Sequence, residues 1–232
     1  MRIDTWPIPY MVEGIEASTA VVIDVLRAST TMTRALENGA AKIIPVQTVE
    51  EAFAWREKDA NVLLTGERDA IMVEGFDLGN SPYEYTPEVV RDKTIVMSTT
   101  NGTQATAAAH DAKDLIIAGF VNMSAVVDYL KKADNPVAIL CAGTRGRYTL
   151  EDAVCAGMIA DLLGSEEICD FTRACRDLYR AHKAELVSYL KEGVHAKNLI
   201  RKGFSRDMEL AFQVDVMDRI VRRDADGSLR AY

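Results

Sequence analysis

Asp24 ends the apolar run Val21, Val22 and Ile23, and Arg27, Ser29, Thr30 and Thr31 follow it in the stretch VVIDVLRASTTMTRAL. A buried carboxylate costs several kcal/mol unless a cation or hydrogen-bond donors meet it, so an acid here is either chemistry or a cap for the next helix. A second stretch, IVMSTTNGTQATAAA over residues 95–109, repeats the order of apolar strand, hydroxyl-rich turn and alanine-rich helix. Its Thr99, Thr100, Asn101, Gly102 and Thr103 are ordinary turn residues, and they equally suit a nest of amides and hydroxyls for a phosphate at a helix N-terminus. Glu67 and Arg68 in VLLTGER stand at a strand end, where a solvated ion pair is the plain alternative. In CAGTRGRYTLED, Gly143, Arg145 and Gly146 form a loop, and Thr149 to Asp152 fits a helix start. Cys141 has the position of a nucleophile but no histidine near it in sequence, which favours core packing. His110, His182 and His195 show no metal-binding spacing.

Strands and helices must deliver these turns to one place. Short β-branched runs predict strands over 20–24, 42–46, 61–66, 94–98, 115–119 and 137–141. Apolar residues at three and four spacing predict helices over 30–38, 48–58, 103–110, 122–132 and 150–163. The alternation is that of an α/β protein, a layered α/β/α arrangement on a largely parallel sheet. An offset of 73 residues carries Thr30 to Thr103, Thr33 to Thr106, Ala35 to Ala108 and Ile43–Ile44 to Ile116–Ile117, which predicts two pseudo-repeated halves, about 15–90 and 91–165. Two related half-sheets bring their strand ends together, and carboxyl ends of parallel strands are where ligands bind. Residues 166–222 read as a helical C-terminal segment that includes MELAFQVDVMDRIV, and RRDADGSLRAY reads as a polar tail, with 1–232 forming one compact unit.

Composition narrows the function classes. The chain has 232 residues, 48% hydrophobic and 27% charged, enough for a sizeable core. A net charge of -8 without a Lys/Arg block excludes a nucleic-acid surface, so an anionic ligand needs locally placed cations. The N-terminal MRIDTWPIPYMVEG lacks the apolar core of a secretory signal, and no apolar run approaches the ~18 residues of a membrane span, which predicts a cytoplasmic protein with no membrane partner. Cys141, Cys155, Cys169 and Cys175 form no C-x-x-C pair, and a reducing compartment predicts free thiols.

Taken in order, VVIDVLRASTT, LLTGER, GFDLGNSP, STTNGT and CAGTRGRYTLEDAVCAG resemble the 2-phosphosulfolactate phosphatase family, the magnesium-dependent phosphatases of coenzyme M biosynthesis. The resemblance covers roughly residues 20–164, and GFSRDMELAFQVDV resembles the family's C-terminal element. One departure is GERDA, where the family usually has two glycines after the arginine and this chain has Asp69 and Ala70. The resemblance implies a small anionic phosphorylated 2-hydroxy acid as substrate, most simply 2-phospho-3-sulfolactate, with about four negative charges near neutral pH. It implies Mg²⁺ as cofactor, held by Asp24, Glu67 and Asp152, because Mg²⁺ takes oxygen ligands and bridges to phosphoryl oxygens. Asp24, Arg27 and Asn101 are then expected at the reacting group. Ser29, Thr30, Arg68, Thr99, Thr100, Gly102, Thr103, Gly143, Arg145 and Gly146 are expected around the substrate, the arginine forks matching phosphate, carboxylate and sulfonate. Homo-oligomerisation is left open.

Two alternatives stand beside this reading. An aspartyl-phosphate enzyme would use Asp24 as nucleophile, but Leu26 occupies the position of the usual second aspartate. A non-catalytic anion-binding or sensor protein would use the same arginines and turn amides without a metal.

Overall fold

The computed structural model describes residues 1–232. Ten strands form one sheet: β1 (Ile3–Trp6), β2 (Thr19–Ile23), β3 (Lys42–Pro45), β4 (Leu63–Arg68), β5 (Ile71–Met72), β6 (Thr94–Ser98), β7 (Asp114–Ala118), β8 (Val137–Cys141), β9 (Val221–Arg223) and β10 (Leu229–Ala231). Their order across the sheet is β1-β8-β2-β7-β9-β10-β3-β6-β4-β5. The pairings of β1 with β8, β8 with β2, β2 with β7, β3 with β6 and β6 with β4 are parallel, and those involving β9, β10 and β5 are antiparallel.

The strands of the two halves expected from the sequence, 15–90 and 91–165, interleave. Counted outward from the β9–β10 hairpin, one side reads β7, β2, β8 and the other reads β3, β6, β4. Each triplet therefore has a central strand from one half of the repeat flanked by two strands from the other. The two central strands, β2 and β6, are those that run into the hydroxyl-rich turns.

Helices cover both faces: α1 (Ala28–Glu37), α2 (Val49–Lys58), α3 (Pro87–Val90), α4 (Gly102–Ala108), α5 (Met123–Ala133), α6 (Leu150–Leu163), α7 (Asp170–His182), α8 (Leu186–Lys191), α9 (Val194–Arg201) and α10 (Asp207–Ala211). Alternate residues of the central strands serve opposite layers, as a sheet buried on both faces requires. Val21, Ile23, Ile116, Ile139 and Cys141 pack into the layer of α5, α6 and α7, whereas Ala20, Val22, Leu115, Ile117, Ala138 and Leu140 pack into the layer of α1 and α4. A smaller cluster of Val46, Ala52, Val62, Leu64, Phe76 and Val96 lies under α2. Helix α6 is buried from Glu151 to Ala160 because α7 covers its outer side, and a Cβ on Gly157 would fall 2.0 Å from the Cys175 carbonyl oxygen. The layered α/β/α fold with a mostly parallel sheet is as predicted.

The helical C-terminal segment is present as α7 to α10, but the chain beyond α10 departs from the prediction. RRDADGSLRAY is not a tail: it makes the β9–β10 hairpin in the middle of the sheet, turning where Asp224 N–H bonds to the Ser228 carbonyl at 2.7 Å. Within MELAFQVDVMDRIV only α10 belongs to a helix. Beyond it the chain satisfies its backbone against another loop instead, with Asp215 N–H on the Phe120 carbonyl and Met217 N–H on the Val121 carbonyl. Strands β1 and β5 also lie outside the predicted set. All four cysteines are free, Cys141, Cys155 and Cys175 in the core and Cys169 half-buried. No helix is long and apolar enough to cross a membrane.

Candidate active site

The turn after β2 is built to present one carboxylate oxygen. Asp24 N–H donates to Ser29 Oγ at 2.9 Å, Ser29 N–H returns to the Asp24 carbonyl at 2.8 Å, and Thr30 Oγ1 donates to the Val25 carbonyl at 2.8 Å. These hydroxyls are therefore spent on shaping the turn. Ala28 N–H reaches Asp24 Oδ1 at 3.3 Å, while Oδ2 points past α4, where a Cβ on Gly102 would lie 2.9 Å from it and 2.5 Å from the Ala28 Cβ. Glycine at 102 is what lets the two helix starts abut. Burial raises the Asp24 pKa to about 6, with His195 opposing the rise and Glu67 adding to it.

Glu67 ties β4 to the turn after β6. Its Oε1 accepts Thr100 N–H at 2.8 Å and its Oε2 accepts Ala70 N–H at 2.7 Å. The loop between them keeps a left-handed backbone at Asp69 (φ 53°) and Ala70 (φ 70°), the region glycine adopts most readily, so the departure at GERDA retains the glycine conformation with side chains added.

Arg27 is almost fully buried and locked from three sides. Its Nη1 donates to Asp207 Oδ2 at 2.9 Å, its Nη2 to the Ala70 carbonyl at 2.9 Å, and its guanidinium carbon lies 4.2 Å from the centre of the Phe204 ring. Asp207, whose Oδ1 accepts the Ser81 hydroxyl at 2.6 Å, thus links GFSRDMEL and GNSP to the arginine of the first motif. Breaking a buried pair of this kind costs about 3–5 kcal/mol, which makes Arg27 a fixed part of the wall.

These elements surround a cleft of about 350 Å³. Of the residues singled out from sequence, Asp24, Arg27, Glu67, Thr100, Asn101 and Arg145 line it. The others do not line it. Asp152 is buried with Oδ1 on Val25 N–H at 2.9 Å and Oδ2 on Gly143 N–H at 3.1 Å, so both its oxygens hold loops together. Arg68 spends its fork on the carbonyls of Glu67, Ser98 and Gln47 and on Ser98 Oγ. Thr103 N–H bonds to Thr99 Oγ1 at 3.2 Å and Thr103 Oγ1 to the Thr99 carbonyl at 2.8 Å, inside the turn. Ser29, Thr30, Gly102 and Gly143 are buried and do not line the cleft, and Gly146 is exposed to solvent outside it.

Sequence reading missed the wall given by α9 and by Asp69. His195, Arg201 and Lys202 line the cleft. Lys202 Nζ bonds to the Asp69 carbonyl at 2.6 Å and lies 2.9 Å from Asp69 Oδ1, while Arg145 Nη2 reaches the same oxygen at 2.7 Å. Asp69 thereby gathers two cations at the mouth, and both hold its carboxyl below the usual carboxylate range. His195 Nδ1 is 2.7 Å from Oε1 of Glu151, whose Oε2 is buried without a partner. Burial works against charge on the imidazole, but the Glu151 hydrogen bond and the nearby carboxylates outweigh it and raise the His195 pKa. The one sequence signal was the acid Glu151 beside Asp152 in TLED; nothing local marks His195.

No group of three or more His, Cys, Asp or Glu side chains converges on one point to hold a metal alone. Mg²⁺ asks for less, commonly one or two carboxylates with waters and substrate oxygens completing its shell. Asp24, with Oδ2 left over from capping, and Glu67 on the same wall match that donor chemistry.

The model of 2-phosphosulpholactate phosphatase sequences matches residues 8–225. A probable 2-phosphosulfolactate phosphatase of Thermotoga petrophila is 43% identical over 206 residues, 89% of this chain and 89% of the relative. Proteins of the same description from Caldanaerobacter subterraneus and Clostridium acetobutylicum are 39% identical over 221 residues (93% and 91% of the two chains) and 35% over 222 residues (94% of each).

Proposed function

The chain belongs to the 2-phosphosulfolactate phosphatase family, and from that premise we propose that it is a Mg²⁺-dependent phosphoric monoester hydrolase converting 2-phospho-3-sulfolactate to 3-sulfolactate and phosphate. The observation that carries the reading is the meeting of three carboxylates, Asp24, Glu67 and Asp69, with Arg27, Arg145, Arg201 and Lys202 around one small cleft. Arg27 is paired with Asp207, and Arg145 and Lys202 share Asp69, while Arg201 has no acidic partner, so these cations in 350 Å³ suit a small polyanion such as a hydroxy-acid phosphate.

Asp24 and Glu67 would hold the ion, which when bound neutralises phosphoryl oxygens and acidifies a water. The chain's own groups do the rest. Arg27 is immobilised by Asp207 and Phe204, so a phosphoryl oxygen docked on it is held without further loss of side-chain freedom. Asn101, N-terminal to α4 and free of any side-chain cap bond, offers an amide to the transferring group or to the attacking water. Arg201, which has no acidic partner, and Arg145 and Lys202, which share Asp69, are the cleft cations left for a carboxylate and a sulfonate. Leu26 lines the cleft where an aspartyl-phosphate enzyme needs its second acid, so direct attack by water is the simpler course.

The test is phosphate release from 2-phospho-3-sulfolactate and 2-phospholactate with Mg²⁺ and after chelation. Turnover that stops on chelation and returns with Mg²⁺ is expected, with kcat/KM for a simple alkyl phosphate, which lacks the carboxylate and sulfonate, at least tenfold lower. Equal kcat/KM for the simple alkyl ester, or turnover indifferent to chelation, contradicts the reading. Inversion at an isotopically chiral phosphorus is the expected stereochemistry; retention would install Asp24 as nucleophile.

A further inference from the structure

We propose that His195, held by Glu151, is the general acid that protonates the leaving alcohol oxygen. The inference rests on the phosphatase reading and adds to it the one step which that reading leaves without a residue. A 2-hydroxy acid leaves phosphorus as a secondary alkoxide, a strong base, so its departure needs a proton as the P–O bond breaks.

The cleft restricts who can give it. Arginines keep their protons, which removes Arg27, Arg145 and Arg201. Lys202 is committed to Asp69 through two contacts. Glu67 has each oxygen engaged by a backbone amide, from Thr100 and Ala70. Asp24 is needed ionised for the metal. Asp69 is tied to Arg145 and Lys202, which leaves His195, whose surroundings suit the role. Its Nδ1–H donates to Glu151 Oε1 at 2.7 Å, which fixes the ring and leaves Nε2 as the nitrogen free for the cleft. Glu151 is 1% exposed and its Oε2 has no hydrogen-bond donor, so the charge of that carboxylate is met by the imidazole alone. An uncompensated buried carboxylate is costly, and the imidazolium form of His195 relieves that cost. Gly193, two residues before His195, keeps the α9 start close to α6: its Cβ would stand 3.4 Å from the Leu150 Cβ and 3.5 Å from Glu151 Oε2.

The step balances as follows. Water oxygen bonds to phosphorus while the bond from phosphorus to the alcohol oxygen breaks, its electron pair staying on that oxygen. The Nε2 proton of the imidazolium moves to the alcohol oxygen, leaving neutral His195 and dihydrogen phosphate. Dihydrogen phosphate then returns one of the former water protons to Nε2, so hydrogen phosphate and the hydroxy acid leave and the imidazolium is restored. Glu151 is a positioning residue throughout and touches neither substrate nor phosphate.

Leaving-group dependence tests the assignment. His195→Gln and Glu151→Gln, in the full chain, are assayed at saturating 2-phospholactate and at saturating 4-nitrophenyl phosphate, whose nitrophenolate departs without a proton. His195→Gln is expected to lower kcat on 2-phospholactate by about 10²–10³-fold and on the nitrophenyl ester by less than about threefold, with Glu151→Gln showing the same imbalance at smaller size. The proposal is overturned if the loss on 2-phospholactate is less than ten times the loss on the nitrophenyl ester. Should His195→Gln fail to fold, judged by near-UV circular dichroism, the ratio is read from Glu151→Gln and His195→Asn on the same criterion. Wild-type protein that hydrolyses neither ester sinks the underlying phosphatase reading and this assignment with it; a working wild type with uniform losses sinks this assignment alone.

Discussion

The turns after β2 and β6 do the same mechanical job with different atoms. Asp24 follows β2 and caps the amide four residues on, Ala28, through Oδ1; Thr99 follows β6 and caps the amide four residues on, Thr103, through its hydroxyl. One turn of helix later the match continues, because Thr33 Oγ1 donates to the Ser29 carbonyl at 2.8 Å and Thr106 Oγ1 donates to the Gly102 carbonyl at 2.9 Å. A hydroxyl suffices for the cap. The carboxylate in the first turn therefore has one oxygen more than the cap requires, bought at the cost of burying a charge, and that oxygen, Oδ2, lies beside Gly102 on a residue that lines the cleft. The second turn returns the space: Gly102 gives up its side chain so that Oδ2 has room.

The largest effect expected follows from removing the surplus oxygen. Asp24→Asn and Asp24→Thr preserve a capping oxygen and should lower Mg²⁺-dependent kcat on the order of 10³-fold or more while the fold persists; full activity in either would erase the distinction between the turns. Next is Gly102→Ala, whose methyl would have to displace Ala28 or Asp24. A displacement approaching 1 Å at a reacting group costs about 10²-fold, so kcat should fall by that order with KM less affected, as steady-state kinetics would show. Asn101→Ala removes a neutral donor from the second turn and should cost about tenfold in kcat; an effect equal to that of Asp24 would mean that the two turns share the chemistry evenly.

The smallest effect is on stability. Burial lifts the Asp24 pKa from 3.8 to about 6, so the folded state holds its proton more tightly than the unfolded chain. Stability from this group is then full at low pH and is lost as pH rises through about 6. Without metal, Asp24→Asn should melt a few degrees above wild type at pH 8, and the gain should vanish near pH 4. Added Mg²⁺ should raise the wild-type Tm and leave that of the variant unmoved. Calorimetry at two pH values decides both points.

What sequence made legible here is what has a local pattern. The strands and helices of the first two-thirds have period and length, and Asp24, Glu67, Asn101 and Arg145 stand out as polar residues at the ends of apolar runs. What it hid is of two kinds. Ser29, Thr30, Thr99 and Thr103 advertise hydrogen bonding without saying whether the partner is backbone or ligand, and here it is backbone. His195, Arg201 and Lys202 sit in a charged helical stretch whose inward face is determined by tertiary docking, and Asp152 looks like any first-turn acid until Val25 and Gly143 claim both its oxygens. Strands β9 and β10 were hidden because they are short and polar, and only the triplets on either side make them strands.

That hairpin has a consequence for biogenesis. Residues 221–231 leave the ribosome after every other strand, so a nascent chain holds two four-stranded sheets that it cannot yet join. Until the hairpin arrives, β7 and β3 are open edges carrying Leu115–Ile116–Ile117 and Ile43–Ile44. Exposed hydrophobic edges of this kind recruit other chains. The interval between synthesis of β8 and of the hairpin is therefore when this protein most needs dilution or a chaperone, and translation speed across α7 to α10 sets how long that interval lasts.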